Sequence, residues 1–112
     1  MSSNIEKMKK GDFLENLNKF SRISSKNMSI SFMLYDKSAT NKFSIIISSK
    51  TIKNATTRNK IKRRCFYAIK QISQKYSNGF LVIFLPKKNI TNLKYKDIEN
   101  EIRQLLITAK II

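Results

Sequence analysis

Residues 43–76 read FSIIISSKTIKNATTRNKIKRRCFYAIKQISQKY, and the fold turns on the change of period inside them. From Phe43 to Ser49 apolar positions alternate, with Phe43, Ile45 and Ile47 opposite Ser44, Ile46 and Ser48, the two-residue repeat of a strand. From about Thr57 to Tyr76 the repeat becomes helical: Ile61, Cys65, Ala68, Ile69, Ile72 and Tyr76 fall within a band about 100° wide at 3.6 residues per turn. A strand therefore leads through a short loop into an amphipathic helix. The periodicity that buries the isoleucines turns Asn59, Lys60, Arg63, Tyr67 and Lys70 outward. Arg58 is the exception, azimuthally near Tyr76 in the first turn and expected to project past the sheet edge. Five of the seven residues from Arg58 to Arg64 are cations, and they stand where the helix is expected to begin. The positive end of a helix dipole is an unfavourable place for cations unless something anionic joins them.

The cluster belongs to a longer imbalance. Between Lys37 and Lys96 there are fifteen lysines and arginines and no aspartate or glutamate. The formal charge of the 112 residues is +16, far more than solubility requires, so the expected partner is a polyanion. A length of 112 residues corresponds to one domain, residues 1–112, able to bury roughly two-thirds of its unfolded surface without staples.

Outside the central stretch, a short first helix is expected from about Asp12 to Lys19, with Phe13 and Leu17 spaced i, i+4 on one face. Asn27 to Asp36 alternates as a strand, Ile30, Phe32 and Leu34 on one side and Ser29, Ser31, Met33 and Tyr35 on the other. Residues 37–42 form a turn. Ser77-Asn78-Gly79 turns into Phe80–Leu85, apolar on both faces as a central strand is, and Pro86 ends it. A last helix from about Lys94 to Ala109 buries Ile98, Ile102, Leu105, Leu106 and Ala109. Its early acids, Asp97, Glu99 and Glu101, suit the dipole, and Asp97 with Glu101 at i, i+4 is expected to be a solvated face. The central helix does the reverse, which marks its cations as ligand-binding.

Whole classes of function drop out. One cysteine and no histidine leave no internal disulfide and neither the commonest metal ligand nor the commonest general base. Cys65 is expected to be a small buried apolar residue in a reducing compartment. No phosphate-cradling glycine loop, Ser-His-Asp set or zinc site is present, so no catalytic residue and no metal site is expected in the protein itself. The N-terminus lacks a signal-peptide pattern, and the longest apolar run, Phe80–Leu85, is too short to span a bilayer, so the expected location is cytoplasmic.

Each phosphate neutralised by Lys or Arg should steepen the salt dependence of binding by roughly 0.7 to 0.9 log units, so five contacts imply a slope of about −4. Such contacts fix position without specifying sequence. The mixed sheet face offers something different. Tyr35 and Met33, joined by Phe13 and Leu17 if the first helix lies across that face, would form a shallow apolar cleft where an extended single strand can stack. The alternative is that Phe13 and Leu17 simply pack the helix down.

Ser49-Lys50, followed by Asn54-Ala55-Thr56-Thr57-Arg58-Asn59-Lys60-Ile61-Lys62-Arg63, resembles the signature of the bacterial ribonuclease P protein component: a Ser-Lys-Lys strand end, a short loop with Ala, then Arg-Asn-Arg-x-Lys-Arg opening a helix. The resemblance covers nearly the whole chain. It implies an α+β fold, a two-layer αβββαβα sandwich similar to the second domains of some ribosomal proteins and elongation factors. A further strand would fall near Arg22–Lys26, and a left-handed crossover would join the parallel strands around the basic helix, an exception to the usual handedness. It also implies a protein that assists an RNA-catalysed endonuclease maturing the 5′ ends of tRNA. The partners would be ribonuclease P RNA and precursor tRNA, with no DNA and no membrane. Magnesium would serve the RNA, and no cofactor would be bound by the protein alone.

On that resemblance Lys50, Arg58, Asn59, Lys60, Lys62, Arg63 and Arg64 are the RNA-binding motif, and Phe13, Leu17, Met33 and Tyr35 line the cleft for the 5′ leader. Several positions depart from the pattern. Lys60 replaces the second Arg and loses the planar bidentate fork while keeping the charge. Leu17 replaces a cleft aromatic, Phe66 stands at a position often basic, and Thr51 replaces the second lysine after the strand. The competing reading is a small basic ribosomal or ribosome-assembly RNA-binding protein, which would not prefer precursor over mature tRNA. A membrane-surface binder would need an exposed apolar helix face, and each expected helix has a stripe sized for a core.

Overall fold

The computed structural model describes residues 5–16, 18–36, 39–72 and 79–112, with side chains except at residues 5, 6 and 13. In chain order the elements are β1 (Ile5–Lys7), α1 (Lys10–Glu15), β2 (Ser21–Ser24), β3 (Met28–Leu34), β4 (Asn41–Ile45), α2 (Ala55–Ile72), β5 (Phe80–Pro86), a 3-10 turn (Lys88–Asn92) and α3 (Tyr95–Thr108). From α1 onward the order of strands and α-helices is the expected αβββαβα; the short β1 ahead of it was not anticipated. The helix expected over Asp12–Lys19 is the shorter α1. Tyr76 and the Ser77-Asn78 part of the expected turn lie outside the described residues.

The five strands form one sheet in the order β1-β4-β5-β3-β2. β4 pairs with both β1 and β5 in parallel, while β3 pairs antiparallel with β5 and with β2. β5 is central, as its two apolar faces require. Register makes the two faces of the sheet distinct. Ile30 stands opposite Phe84 and Phe32 opposite Val82, and Phe43 and Ile45 stand beside Val82 and Phe84. This face packs against α2 and α3: Met28, Ile30, Phe43, Val82 and Phe84 share one buried cluster with Ile61, Cys65, Ala68, Ile69, Ile72, Ile98, Ile102 and Leu106. The far face carries Ser29, Ser31 and Met33 opposite Leu85, Ile83 and Leu81, with Lys42 and Ser44 beside Leu81 and Ile83.

Local chemistry explains the element ends. Asn54 caps α2, its side-chain oxygen accepting from the Thr57 backbone N–H at 3.1 Å, and this starts the helix two residues earlier than its apolar stripe alone suggests. At the end of α3, Lys110 adopts the left-handed conformation with φ 63. Its N–H donates to the Ile107 carbonyl, and that of Ile111 to Leu106, the paired bonds of a Schellman cap, with Ile111 driven into the core. Gly79 has φ 90, a conformation that costs a residue with a side chain, and its carbonyl accepts the backbone N–H groups of Tyr35 and Asp36 where the chain enters β5.

One expected surface is a latch. Glu101 is not solvated together with Asp97. Its carboxylate accepts the backbone N–H of Asn27 at 2.7 Å, the Asn27 side-chain amide at 2.9 Å and the Ser25 hydroxyl, clamping the β2–β3 turn to α3. Asp97 is exposed. Helical spacing gave both residues one azimuth, but it carries no information about which loop meets that azimuth.

Candidate nucleic-acid interface

The basic segment begins one turn inside α2 rather than at its first residues, so Arg58 follows Ala55, Thr56 and Thr57. Those three supply no acid to the first turn, and the uncompensated dipole remains positive towards solvent there. Asn59, Lys60 and Arg63 are exposed, while Arg58, Lys62 and Arg64 are half-buried at the borders of the apolar stripe. Lys50 is exposed in the tight turn after β4, where the Thr51 N–H bonds the Ser48 carbonyl at 3.1 Å. The structure thus places the motif residues along the α2 surface and the loop leading into it.

Arg58 is tied to the loop ahead of its own helix. Its Nη1 donates to the Ile52 carbonyl at 2.7 Å and to that of Lys53 at 2.8 Å, bracing the loop that delivers the helix. A guanidinium has five donors in a planar fork, so this bracing leaves others for an anion.

The leader-cleft residues divide. Met33 and Tyr35 share the far face of the sheet by strand parity, both half-buried. The Tyr35 hydroxyl donates to the Thr40 carbonyl at 2.6 Å, and Lys42 Nζ stands 5.8 Å from the ring centroid, a cation–π contact. Lys42 also pairs with Asp12 of α1 at 3.1 Å. Asp12 accepts the Lys9 backbone N–H at 2.9 Å, the return half of a helix-start capping box. That bond holds its carboxyl below the usual range; burial opposes the shift and Lys42 adds to it. The Lys42–Asp12 pair therefore ties the first helix to the far face. Of Phe13 the side chain is not described, and Leu17 lies outside the described residues.

The same face contains residues that sequence reasoning missed. A groove of about 370 Å³ is lined by Arg22, Ser29, Ile46, Ser48, Thr51, Leu85, Pro86, Lys87 and Lys88. The basic Lys87-Lys88 pair after Pro86 was a visible signal. Arg22 was not, because it reaches this face only through the β2–β3 register that sets it opposite Ser31. Lys87 is oriented by donation to the Ser25 carbonyl at 2.7 Å. A second groove, of about 490 Å³, runs between β4 and α2, lined by Lys7, Phe43, Ser44, Ile45, Lys62, Arg63, Phe66, Tyr67 and Lys70. None of the residues lining either groove is acidic, so both favour anions.

Chemically the surface can bind and orient an anion. Cys65, the one thiol, is buried in the core, and burial pushes it up to about 12, which removes it as a nucleophile at neutral pH.

Comparison with known proteins gives a family and a fold. The ribonuclease P family model matches residues 3–110. The chain is similar to the ribonuclease P protein component of Fusobacterium nucleatum, at 34% identity over 90 residues covering 77% of this chain and 80% of the relative. It is also similar to that of Rippkaea orientalis, at 34% over 74 residues, which is 66% of this chain. The match spans 58% of the Rippkaea relative and 56% of the one from Streptococcus thermophilus, a little over half of each. Among solved structures, the RNase P protein of Staphylococcus aureus aligns with a TM-score of 0.77 at 21% identity, covering 98% of both chains. That of Thermotoga maritima gives 0.73 at 20% identity, over 90% of this chain and 94% of its own. Likeness at such identities concerns the fold.

Proposed function

Because this chain belongs to the ribonuclease P protein family, we propose that it is the non-catalytic protein subunit of a ribonucleoprotein endonuclease that matures tRNA 5′ ends. The observation that carries this reading is the separation of two surfaces. Exposed cations lie along α2 and the loop before it, with Lys50, Lys60 and Arg63 open to solvent and the neutral Asn59 beside them. The far face of the sheet carries Met33, Tyr35 and Lys42 beside α1, with a second basic groove at Arg22, Lys87 and Lys88.

The α2 surface binds the phosphates of a catalytic RNA. Its cations act through charge and recognise the shape of a folded backbone rather than a base sequence. The far face takes the single-stranded 5′ leader of precursor tRNA, with Tyr35 and Phe13 as stacking positions and Lys42, Arg22 and Lys88 for its phosphates. Holding the leader there adds binding free energy for precursor that mature tRNA cannot draw on. The hydrolysis itself belongs to the RNA, with magnesium. Among the described residues no group of three or more His, Cys, Asp or Glu could hold a metal ion. No helix among the described residues is long and apolar enough to cross a membrane, and the proposed place of action is the cytoplasm.

Reconstitution tests the reading. Cleavage of precursor tRNA by a bacterial ribonuclease P RNA should rise at low magnesium when the protein is added. Folded protein that stimulates none of several such RNAs would sink it. Equal binding of precursor and mature tRNA would favour a ribosomal or assembly role instead.

A further inference from the structure

The groove between β4 and α2 differs in kind from the cationic surface around it. Phe66 is 40% and Tyr67 62% exposed, an unusual amount of aromatic surface to leave side by side on one helix. Phe66 is held rather than loose: its ring lies 5.7 Å from that of Phe43 at 34°, so β4 fixes one wall of the groove. Around these rings the helical repeat sets cations. Lys62 and Lys70 lie four residues either side of Phe66, and Arg63 four before Tyr67, so all share a face. Lys70 Nζ is 5.2 Å from the Phe66 centroid.

A purely electrostatic phosphate surface has no use for a rigid aromatic wall, and a purely apolar protein-docking groove would not be ringed by cations without an acid among its lining residues. The combination of planar apolar faces and surrounding positive charge matches an unpaired nucleotide: a base to stack and a phosphate to neutralise. We propose that this groove receives a single unpaired base of the bound RNA. Tyr67 supplies the stacking face and Phe66 the wall, while Lys62, Arg63 and Lys70 engage the flanking phosphates. This rests on the assignment of α2 to a catalytic RNA and adds to it a specific contact with a base extruded from the helix stack. Lys70 gives up its place over Phe66 for a phosphate when RNA binds.

The chain contains no tryptophan, so Tyr67→Trp introduces a unique fluorophore at the platform. On titration with a bacterial ribonuclease P RNA its emission should be quenched by the stacked base, and a fully paired RNA duplex of similar charge should bind without quenching. Tyr67→Leu should weaken binding of the structured RNA about 10-fold, within the range for loss of one stacked base, and leave the salt slope unchanged. Phe66→Leu, which keeps apolar contact with Phe43, should weaken it to a similar degree. Binding of the RNA with no quenching, and with unchanged affinity in Tyr67→Leu, would overturn the base contact while leaving the RNA assignment intact. Failure of the wild-type protein to bind or stimulate any such RNA would strike the underlying assignment instead. Sedimentation without RNA adds a third arm: a dimer abolished by Phe66→Leu would give the groove to a second copy of this chain and overturn the proposal.

Discussion

Arg58 and Arg63 are both arginines of one motif, five residues apart, yet they stand in different physical situations. Arg63 is exposed, and Arg63→Ala should change stability by less than about 0.5 kcal/mol while lowering the salt slope of RNA binding by about 1. Arg58 also braces the Ile52 and Lys53 carbonyls. Arg58→Ala should therefore lose about 1–2 kcal/mol of folding stability, from charge-assisted bonds that are partly solvent-screened. Urea unfolding of the two variants beside RNA titrations at several salt concentrations separates the roles. Equal stability of the two would show that the bracing bonds contribute nothing. Cys65 gives a second test at this scale. With its thiol buried and raised to about 12, labelling by a thiol reagent at pH 8 should be at least about 10³-fold slower in native buffer than in urea. Fast native labelling would mean that α2 opens readily from the sheet.

At the scale of elements, the interactions that matter most are those that tie one element to another. Glu101 reaches from α3 to the turn between β2 and β3, and Asn27 is buried. Glu101→Ala leaves the Asn27 N–H without its acceptor and should cost about 2–3 kcal/mol, whereas Glu101→Gln, keeping one carbonyl oxygen, should cost less. Thermal or urea unfolding checks the order. The cap of α3 offers the opposite change. Lys110 occupies a left-handed position at φ 63 that glycine adopts without strain, so Lys110→Gly should stabilise by about 0.5–1 kcal/mol. A loss of stability there would point to a contact of the Lys110 side chain that outweighs backbone strain. Neither helix cap was read from the sequence: the apolar stripe put the start of α2 at about Thr57, beyond the Asn54 cap, and at the end of α3 a lysine stands where glycine is the usual signal.

For the whole molecule, the decisive property is that α2 and the far face of the sheet present separate surfaces. Substitutions on them should therefore affect different observables. Binding of precursor tRNAs with leaders of increasing length, measured for the assembled ribonucleoprotein, should gain affinity with leader length in the wild type. That gain should shrink in Tyr35→Ala and Phe13→Ala and persist in Arg63→Ala, which weakens assembly with the RNA instead. Loss of the gain in Arg63→Ala at saturating protein would show that the two surfaces are not functionally separate.

Much of this organisation was legible beforehand, for reasons of periodicity. The alternation in β3 and β4, the apolar β5 and the stripe of α2 each state which side chains must leave water, and that demand is local. The basic segment was legible because acids are absent from Lys37 to Lys96 and because Lys60 and Arg63 fall on outward azimuths. What the chain alone left open depends on register and on contacts distant in sequence. Arg22 joins Lys87 and Lys88 because β2 pairs with β3 and β3 with β5. Glu101 becomes a latch because α3 lies against the β2–β3 turn. Phe66 and Tyr67 form a groove only when β4 brings Phe43 to the helix. The sequence by itself determined which faces are apolar and where the positive charge accumulates, since both follow from the order of residues along a repeat of 2 or 3.6. Tertiary structure alone decided which of those faces meet, because pairing register and helix packing are set by the burial of the whole core.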